Sequence, residues 1–288
     1  MDRFQQLGLL GFAAGDLPTD ALDQLQARAR QVRPLEPGPE VDGLLLQLGA
    51  RADAALLRQL PRLRCAVVYG TDHSGVDLEA AAAQGVTVCH LPGYSTQAVA
   101  EASLRLALQL VAERTPRREL CSLRIGIAGL GRIGGRVAQL LIRGLGAQVR
   151  YWSRARKPQA EAELGLRFAP LDELVAWSEA LLVHLPLDGS TRGLLDAARI
   201  AALPLGALLV HLSPLEILDL RAVERRVRSG DLAFAFDHAD ASEISFGHAA
   251  PPSNETVEAA RERWRLCLEV LDAFLAGEPR HRVRRADP

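Results

Sequence analysis

The chain has 288 residues, enough for two domains, and its formal net charge of −1 gives no electrostatic reason to expect nucleic acid or a membrane surface as a partner. Hydrophobic residues make up 48% of the chain and aromatic residues 5%, so the cores must be built from aliphatic side chains. No apolar run reaches the roughly 18 residues that a membrane span needs.

The amino-terminal residues 1–16 contain a short apolar run without a basic lead or a clear cleavage site, and we interpret this run as a first buried strand. The cysteines form no CxxC pair and no metal-like cluster with histidine. We therefore expect no metal site, small buried thiols and a reducing cytoplasm. The cysteines are Cys65, Cys89, Cys121 and Cys267.

Short apolar runs alternate with longer amphipathic stretches, an order typical of βαβ units and a mostly parallel sheet. In the first third of the chain the pattern predicts strands at 7–12, 43–48, 65–69 and 86–89. It predicts helices at about 19–32, 52–60 and 76–84, and a proline-rich turn at 34–39. A long helix is predicted from 97 to about 113, before Thr115 and Pro116 end it.

A second series of alternating elements begins near residue 123. The predicted strands are 124–128, 148–152, 181–185, 207–212 and 232–237. The predicted helices are about 134–145, 171–177, 196–203 and 218–229, with a last helix at about 254–277. The sequence therefore predicts an α/β fold.

Residues 124–134 read as a strand, a GxGxxG turn and the start of a helix. Gly129 permits the tight turn, Gly131 lets the backbone approach a pyrophosphate, and Gly134 lets the helix pack on the strand. The free N–H groups and the positive dipole end of the helix then face the anion. The sequence therefore predicts a dinucleotide site.

The end of the following strand sets the choice between NAD and NADP. An acidic residue there would bond the ribose 2′-hydroxyl of NAD, but none is present in 149–157. Ser153 stands in its place and Arg154, Arg156 and Lys157 follow. A serine donor with cations suits a phosphate dianion, which favours NADP(H) over NAD(H), and the alternative is a solvated basic turn.

Over nearly its whole length the chain resembles the D-isomer-specific 2-hydroxyacid dehydrogenases, which include hydroxypyruvate reductases and phosphoglycerate dehydrogenases. The segments that carry the resemblance are 70–78 (GTDHSGVDL), 85–88 (GVTV), 92–101 (PGYSTQAVAE), 184–193 (HLPLDGSTRG), 247–250 (GHAA) and 274–279 (FLAGEP). The resemblance implies two Rossmann-like or flavodoxin-like domains with parallel sheets, joined by hinge helices. The dinucleotide domain would cover 97–254, and the substrate domain would cover 1–96 with 255–288.

The same resemblance implies which residues contact the ligands. Besides the glycines and the basic residues already named, the expected cofactor contacts are Arg132, Ile133, His184, Pro186, Ser213 and Asp237. The expected substrate contacts are His73, Ser74, Gly75 and Tyr94.

In that family an arginine binds the substrate carboxylate, a histidine is the acid/base and a glutamate holds the histidine. His248 matches the histidine. Two alignments leave the glutamate open, one giving Glu243 and the other Ser242. The arginine is missing, because residues 211–215 read His-Leu-Ser-Pro-Leu and Pro214 stands where the arginine should be.

Two segments are shorter than is usual in the family. Only residues 115–122 remain where a dimer-forming arm is usual, and the loop before His248 is also short. We therefore expect a small-molecule substrate and a homodimer, if one forms, altered from the family dimer.

Three functions remain open from the sequence. The first is an NADP(H)-dependent reductase of a carbonyl substrate that is not a simple 2-keto acid. The second is a catalytically degraded dinucleotide-binding protein, a sensor or a partner-binding module. The third is an ordinary 2-hydroxyacid dehydrogenase whose arginine comes from elsewhere.

Overall fold

The computed structural model describes residues 3–114, 116–237 and 244–283. The chain divides into two compact units, which are described separately. Unit 1 comprises Met1–Tyr94 with Val257–Pro288, and unit 2 comprises Ser95–Thr256. Within the described ranges, no helix combines the length and the apolar character that crossing a bilayer requires.

Unit 1 is built on a five-stranded parallel sheet in the order β2-β1-β3-β4-β5. The strands are β1 Phe4–Leu10, β2 Ala29–Pro34, β3 Val41–Gln47, β4 Cys65–Tyr69 and β5 Thr87–Cys89. The helices are α1 Ala21–Gln26, α2 Ala54–Arg58, α3 Leu78–Ala83 and, from the end of the chain, α10 Val257–Leu275. The central strands β3 and β4 are almost fully buried, as expected for a sheet covered on both faces.

The helix predicted at 19–32 is wrong beyond its first half. The helix α1 ends at Gln26, and β2 follows as a parallel edge strand that pairs with β1 from Ala29 opposite Phe4 to Pro34 opposite Leu9. A proline is tolerated there because an edge strand has one side without a ladder partner. Pairing with the buried β1 therefore decided the conformation of a segment whose own pattern was ambiguous.

Unit 2 contains a seven-stranded parallel sheet in the order β12-β11-β10-β9-β6-β7-β8. Its strands are β6 Ile125–Ala128, β7 Val149–Trp152, β8 Arg167–Phe168, β9 Ala180–Val183, β10 Ala207–His211, β11 Leu232–Asp237 and β12 His248–Ala250. The helices are α4 Thr96–Ala112, α5 Arg132–Gln139, α6 Pro158–Leu164, α7 Leu171–Trp177, α8 Ala197–Ala202 and α9 Leu220–Arg228. A π-helical turn, Leu140–Gly144, extends α5, and 3-10 turns cover Leu120–Ser122 and Leu215–Ile217.

The strand order of unit 2 reverses beside β6, since β7 lies on one side of it and β9 on the other. Parallel sheets bind ligands beyond the carboxyl ends of their strands at such a reversal. This end of the sheet is called the carboxyl edge below. The parallel α/β fold class predicted from the sequence is confirmed.

Three short elements of unit 2 were not predicted, namely α6, β8 and β12. The helix α6 buries no residue, so it carries no apolar stripe that a sequence pattern could reveal. Its boundaries come from Pro158 in its first turn and from Gly165, whose φ of 70° ends it in the left-handed conformation.

Candidate dinucleotide site

The turn after β6 requires glycine at its first position. Gly129 has a φ of +100°, and a Cβ added there would lie 2.2 Å from the carbonyl oxygen of His184. Any other residue would therefore combine an unfavourable backbone conformation with a backbone clash. The turn after β6 and the turn after β9 thus lie directly against each other at the carboxyl edge.

Gly134 and Gly131 serve different purposes in the same turn. A Cβ at Gly134 would lie 1.9 Å from the carbonyl oxygen of Gly129, so only glycine lets α5 approach the turn. Gly131 is the N-cap of α5 with an ordinary φ of −84°, and no described atom lies within 4 Å of its missing Cβ. The space in front of this helix N-terminus is therefore open, and it fits an approaching pyrophosphate. Arg132 and Ile133, which follow, are exposed and half-buried.

The end of β7 holds the predicted ribose-side residues, and two of its cations are already paired. Arg154 Nη1 lies 2.9 Å from Asp188 Oδ2, with the arginine side chain about half exposed. The Ser153 hydroxyl donates to the carbonyl of Ala155 over 2.7 Å. Among the described residues, Lys157 has no ion-pair partner. The region therefore has cations available, but Asp188 competes for one of them.

Arg156 is held more firmly than Arg154. Its guanidinium makes a bidentate contact with Glu161, and the Tyr151 hydroxyl donates to the same carboxylate over 2.6 Å. The Arg156 hydrogen bonds, followed by the one from Tyr151, lower the pKa of the Glu161 carboxyl to about 2. Arg156 is thus part of a network that shapes the start of α6.

The loops after β9 and β10 are fixed by hydrogen bonds of their own. Ser213 Oγ accepts from the Leu185 N–H over 2.9 Å and donates to the Val183 carbonyl over 3.1 Å. The Pro186 carbonyl accepts from the Thr191 hydroxyl over 2.6 Å. Ser213 therefore connects the two strand ends at the place where the sequence predicts the cofactor.

His184 lies at the end of β9 and is buried. Its Nε2 is 3.2 Å from Ser103 Oγ on α4. Burial lowers the pKa of its imidazole to about 3, with a smaller effect from His211, so the ring is neutral near pH 7. Its Nδ1 is buried and has no hydrogen-bond partner in the described part of the chain.

Asp237, one of the expected cofactor contacts, ends β11 at the carboxyl edge. Its carboxylate accepts hydrogen bonds from the backbone N–H of Ser253, over 3.0 Å, and from the Ser253 hydroxyl. These bonds anchor the segment that follows β12.

Pro214 directly precedes the 3-10 turn Leu215–Ile217 that follows β10, and it brings no charge to this position. Its φ is −54°, and its carbonyl oxygen lies 3.0 Å from Nε2 of the buried His211. Pro214 therefore offers neither a charge nor an N–H to a substrate carboxylate at this position.

The structure does not bring His248 to the carboxyl edge. It begins β12 opposite Ala235, two residues before Asp237 ends β11. At about 3.3 Å per residue its backbone lies roughly 7 Å from the strand end. Its Nε2 is 2.8 Å from a Glu113 carboxylate oxygen, and its Nδ1 is 3.3 Å from Gln109 Nε2.

Both partners of His248 belong to the last turns of α4. Ser103, on the same helix, contacts His184 at the carboxyl edge, and Glu113 lies ten residues farther along. A helix rises about 1.5 Å per residue, so Glu113 is roughly 15 Å away along the axis. Glu243 and Ser242, the two candidates for the family's glutamate, lie outside the described residues. The acid/base role of His248 and its partner stay predictions.

The predicted substrate residues of unit 1 separate into two places. His73, Ser74 and Gly75 line one side of a cavity of about 210 Å³, together with Arg51. The Asp72 carboxylate accepts from the Ser74 N–H over 2.9 Å and fixes this loop. Tyr94 is buried elsewhere in the unit, with the Arg263 guanidinium carbon 5.4 Å from the centre of its ring.

Sequence reasoning missed several residues that the structure places beside the predicted ones. Asp188 and Glu161 neutralise two of the three cations after β7, and Glu113 holds His248. Glu161 is five residues from Arg156, on a short helix that was not predicted. Asp188 and Glu113 are distant in sequence from their partners, and no local pattern could have identified them.

Comparison with known proteins points to one family. Residues 96–257 match the profile described as "D-isomer specific 2-hydroxyacid dehydrogenase, NAD binding domain". A glyoxylate reductase of Thermococcus onnurineus is 30% identical over 85% of this chain and 83% of its own length. A glyoxylate reductase of Aeropyrum pernix is 33% identical over 70% of this chain and 67% of its own length. The solved 2-hydroxyacid dehydrogenase of Ketogulonicigenium vulgare Y25 shares the fold, with a TM-score of 0.85 and 23% identity over 98% of this chain and 99% of that one.

Proposed function

Since this chain belongs to the D-isomer specific 2-hydroxyacid dehydrogenase family, we propose that it is an NADP(H)-dependent oxidoreductase that reduces a carbonyl substrate other than a simple 2-keto acid. One observation carries the proposal. The Gly129–Gly134 turn has the open, glycine-limited geometry of a pyrophosphate site, while Pro214 stands where the family places its substrate arginine.

When bound, the nicotinamide cofactor supplies a hydride to the carbonyl carbon. The chain must supply the proton for the carbonyl oxygen, and we assign this role to His248. In that role the imidazole exchanges its contacts with Gln109 and Glu113 for the substrate. Pro214 has neither charge nor N–H, so a substrate that depends on a bidentate arginine for its α-carboxylate loses binding energy and orientation.

A second candidate function is a dinucleotide-binding protein that does not turn over a substrate. The position of His248 favours it, because Glu113 and Gln109 occupy both ring nitrogens away from the carboxyl edge. Tight NADPH binding without turnover of any carbonyl compound would support this second function over the first.

We expect NADPH to bind at least ~10-fold more tightly than NADH. No acidic residue stands at 153–157 to bond a ribose 2′-hydroxyl, while among the described residues the half-exposed Arg154 is held by Asp188 alone, and exposed ion pairs are weak. Arg154→Asp should erase the preference, and Asp188→Asn should widen it because it releases Arg154. Calorimetric titration with both cofactors measures each effect.

The control for this prediction is Arg156→Gln. Glu161 already accepts three hydrogen bonds from Arg156, so this variant should change the ratio of the two affinities much less than Arg154→Asp. Equal or reversed affinities of the unmodified protein for NADPH and NADH would refute the preference.

We also propose a homodimer that is weaker than, or built differently from, the family dimer. The apolar side chains of α4 pack in the core of unit 2, including Leu106 and Leu110. On the exposed side of α4, Leu108 is 43% exposed and lies between Arg105 and Ala112. A dimer contact built on so small an apolar surface would be weak, so sedimentation should show a mass that rises with protein concentration. A tight dimer at nanomolar protein would contradict the proposal.

A further inference from the structure

A group of aromatic side chains surrounds one arginine in unit 1. The Arg263 guanidinium carbon lies 4.5 Å from the ring centre of Tyr69 and 5.4 Å from that of Tyr94. Trp264 meets Tyr69 edge to face at 6.3 Å between ring centres, and Phe12 lies 5.6 Å from Tyr69. These five residues are called the Arg263 cluster below.

Within the described ranges, no carboxylate is paired with the Arg263 guanidinium. No Asp or Glu among the described residues lies within 4.0 Å of its guanidinium, and its Nε is buried without a hydrogen-bond partner. Arg265, two residues along the same helix, is exposed and paired with both Glu262 and Glu269. Burying a polar group of a cation without a partner is costly, whereas an anion beside it would recover that cost.

Tyr69 adds a second donor at the same place. Burial raises the pKa of its hydroxyl to about 12, so the group stays protonated near neutral pH. The Trp264 indole N–H, by contrast, is already used, since it donates to the Gln24 side chain over 3.1 Å. That hydrogen bond holds the indole ring in place as an apolar surface of the cavity. The groups that can contact an anion there are therefore Arg263 and the Tyr69 hydroxyl.

Arg263, Tyr69 and Trp264 line a cavity of about 580 Å³, which is within the usual range for small-molecule sites. Leu17, Leu268 and other apolar groups form one part of its lining, and charged side chains form another, namely Asp16, Asp20, Arg261 and Arg265. Two acids at its margin are engaged locally, because Asp16 accepts from the Ala13 N–H and Asp20 from the Gln24 amide. The cavity therefore combines apolar walls with Arg263, whose Nε is buried without a hydrogen-bond partner among the described residues.

We propose that this cavity of unit 1 binds a carboxylate that carries an apolar or aromatic body. Arg263 and Tyr69 receive the carboxylate, and the body packs against Trp264, Leu17 and Leu268. All of its lining residues belong to unit 1, and its test needs neither cofactor nor turnover.

Phenylacetate is a suitable probe, and phenylacetamide is its uncharged counterpart. Calorimetry on the full chain should show saturable phenylacetate binding with a Kd of about 1 mM or tighter, and at least ~10-fold weaker binding of the amide. The indole N–H resonance of Trp264, assigned with Trp264→Phe, should shift during the phenylacetate titration. Equal binding of the two probes would overturn the proposal, as would no saturation with phenylacetate.

Substitutions of arginine test whether Arg263 supplies the positive charge that binds the carboxylate. Arg263→Gln should weaken phenylacetate binding at least ~10-fold, and Arg263→Lys should weaken it less. The control Arg62→Gln changes an exposed arginine of the same unit that pairs with Glu40 and does not line the cavity, so it should leave binding unchanged. Circular dichroism checks that each variant is folded, and the amide comparison on the unmodified chain needs no variant. Equal losses in Arg263→Gln and Arg62→Gln would overturn the assignment of Arg263. Glyoxylate binding as strongly as phenylacetate would overturn the assignment of an apolar body.

Discussion

Gly131→Ala should fold like the unmodified protein and yet lose NADPH binding by at least ~100-fold. A methyl group at this position meets no non-neighbouring atom of the described residues within 4 Å, and the φ of −84° suits alanine. The added methyl would therefore act on a group that approaches the N-terminus of α5. A pyrophosphate there would be displaced by more than a van der Waals radius and lose its backbone donors.

Two neighbouring glycines provide the controls. Gly135→Ala also enters open space, but inside α5, so it should keep NADPH affinity and gain roughly 0.5–1 kcal/mol of stability from alanine's helix propensity. Gly134→Ala should instead destabilise unit 2, because its Cβ would lie 1.9 Å from a backbone oxygen. Melting temperatures and calorimetric affinities separate the three variants. Unchanged NADPH affinity in Gly131→Ala would contradict a pyrophosphate at this turn.

His248→Ala should lower reduction of the best carbonyl substrate by about 10²–10⁴-fold, with NADPH affinity unchanged. Reduction needs a proton source beside the carbonyl oxygen, and histidine supplies one near neutral pH. Glu113→Gln is the companion variant, since it removes the carboxylate 2.8 Å from Nε2 but leaves the imidazole in place. Because Glu113 holds the imidazole in its position away from the carboxyl edge, Glu113→Gln should leave the rate of carbonyl reduction unchanged or raise it.

Pre-steady-state rates of NADPH oxidation measure both variants. A rate for His248→Ala equal to that of the unmodified protein would remove His248 from the reaction. This outcome matters because His248 is the first residue of β12 and does not lie at the carboxyl edge, where the cofactor is expected.

Local patterns predicted much of the fold. The apolar runs Cys65–Tyr69 and Leu232–Asp237 form strands with the predicted bounds, and a glycine marks one end of each, Gly70 after the first and Gly230 shortly before the second. The glycine turn was identifiable because its GxGxxG spacing falls within six residues, between an apolar run and the start of an amphipathic helix. Where one short segment contains both the constraint and its cause, the sequence alone was sufficient.

Features that depend on distant partners were not predictable in the same way. The strand β2 exists because it pairs with β1, although its residues continue an amphipathic helix pattern. Arg154 was correctly noticed as a cation, but its pairing with Asp188 joins residues 34 positions apart. The pairing of His248 with Glu113 and the isolation of Arg263 likewise arise only from tertiary packing.

The most direct test of the proposed function is the rate of NADPH oxidation by the unmodified protein with a panel of carbonyl compounds. The panel contains glyoxylate, hydroxypyruvate and pyruvate beside uncharged aldehydes and ketones. Glyoxylate is tested first because the two relatives compared above are named glyoxylate reductases. We expect kcat/KM for the 2-keto acids to be at least ~100-fold below that for the best uncharged compound, since Pro214 cannot grip a carboxylate. Pro214→Arg should partly restore the 2-keto acids. Rapid reduction of glyoxylate by the unmodified protein would contradict the account.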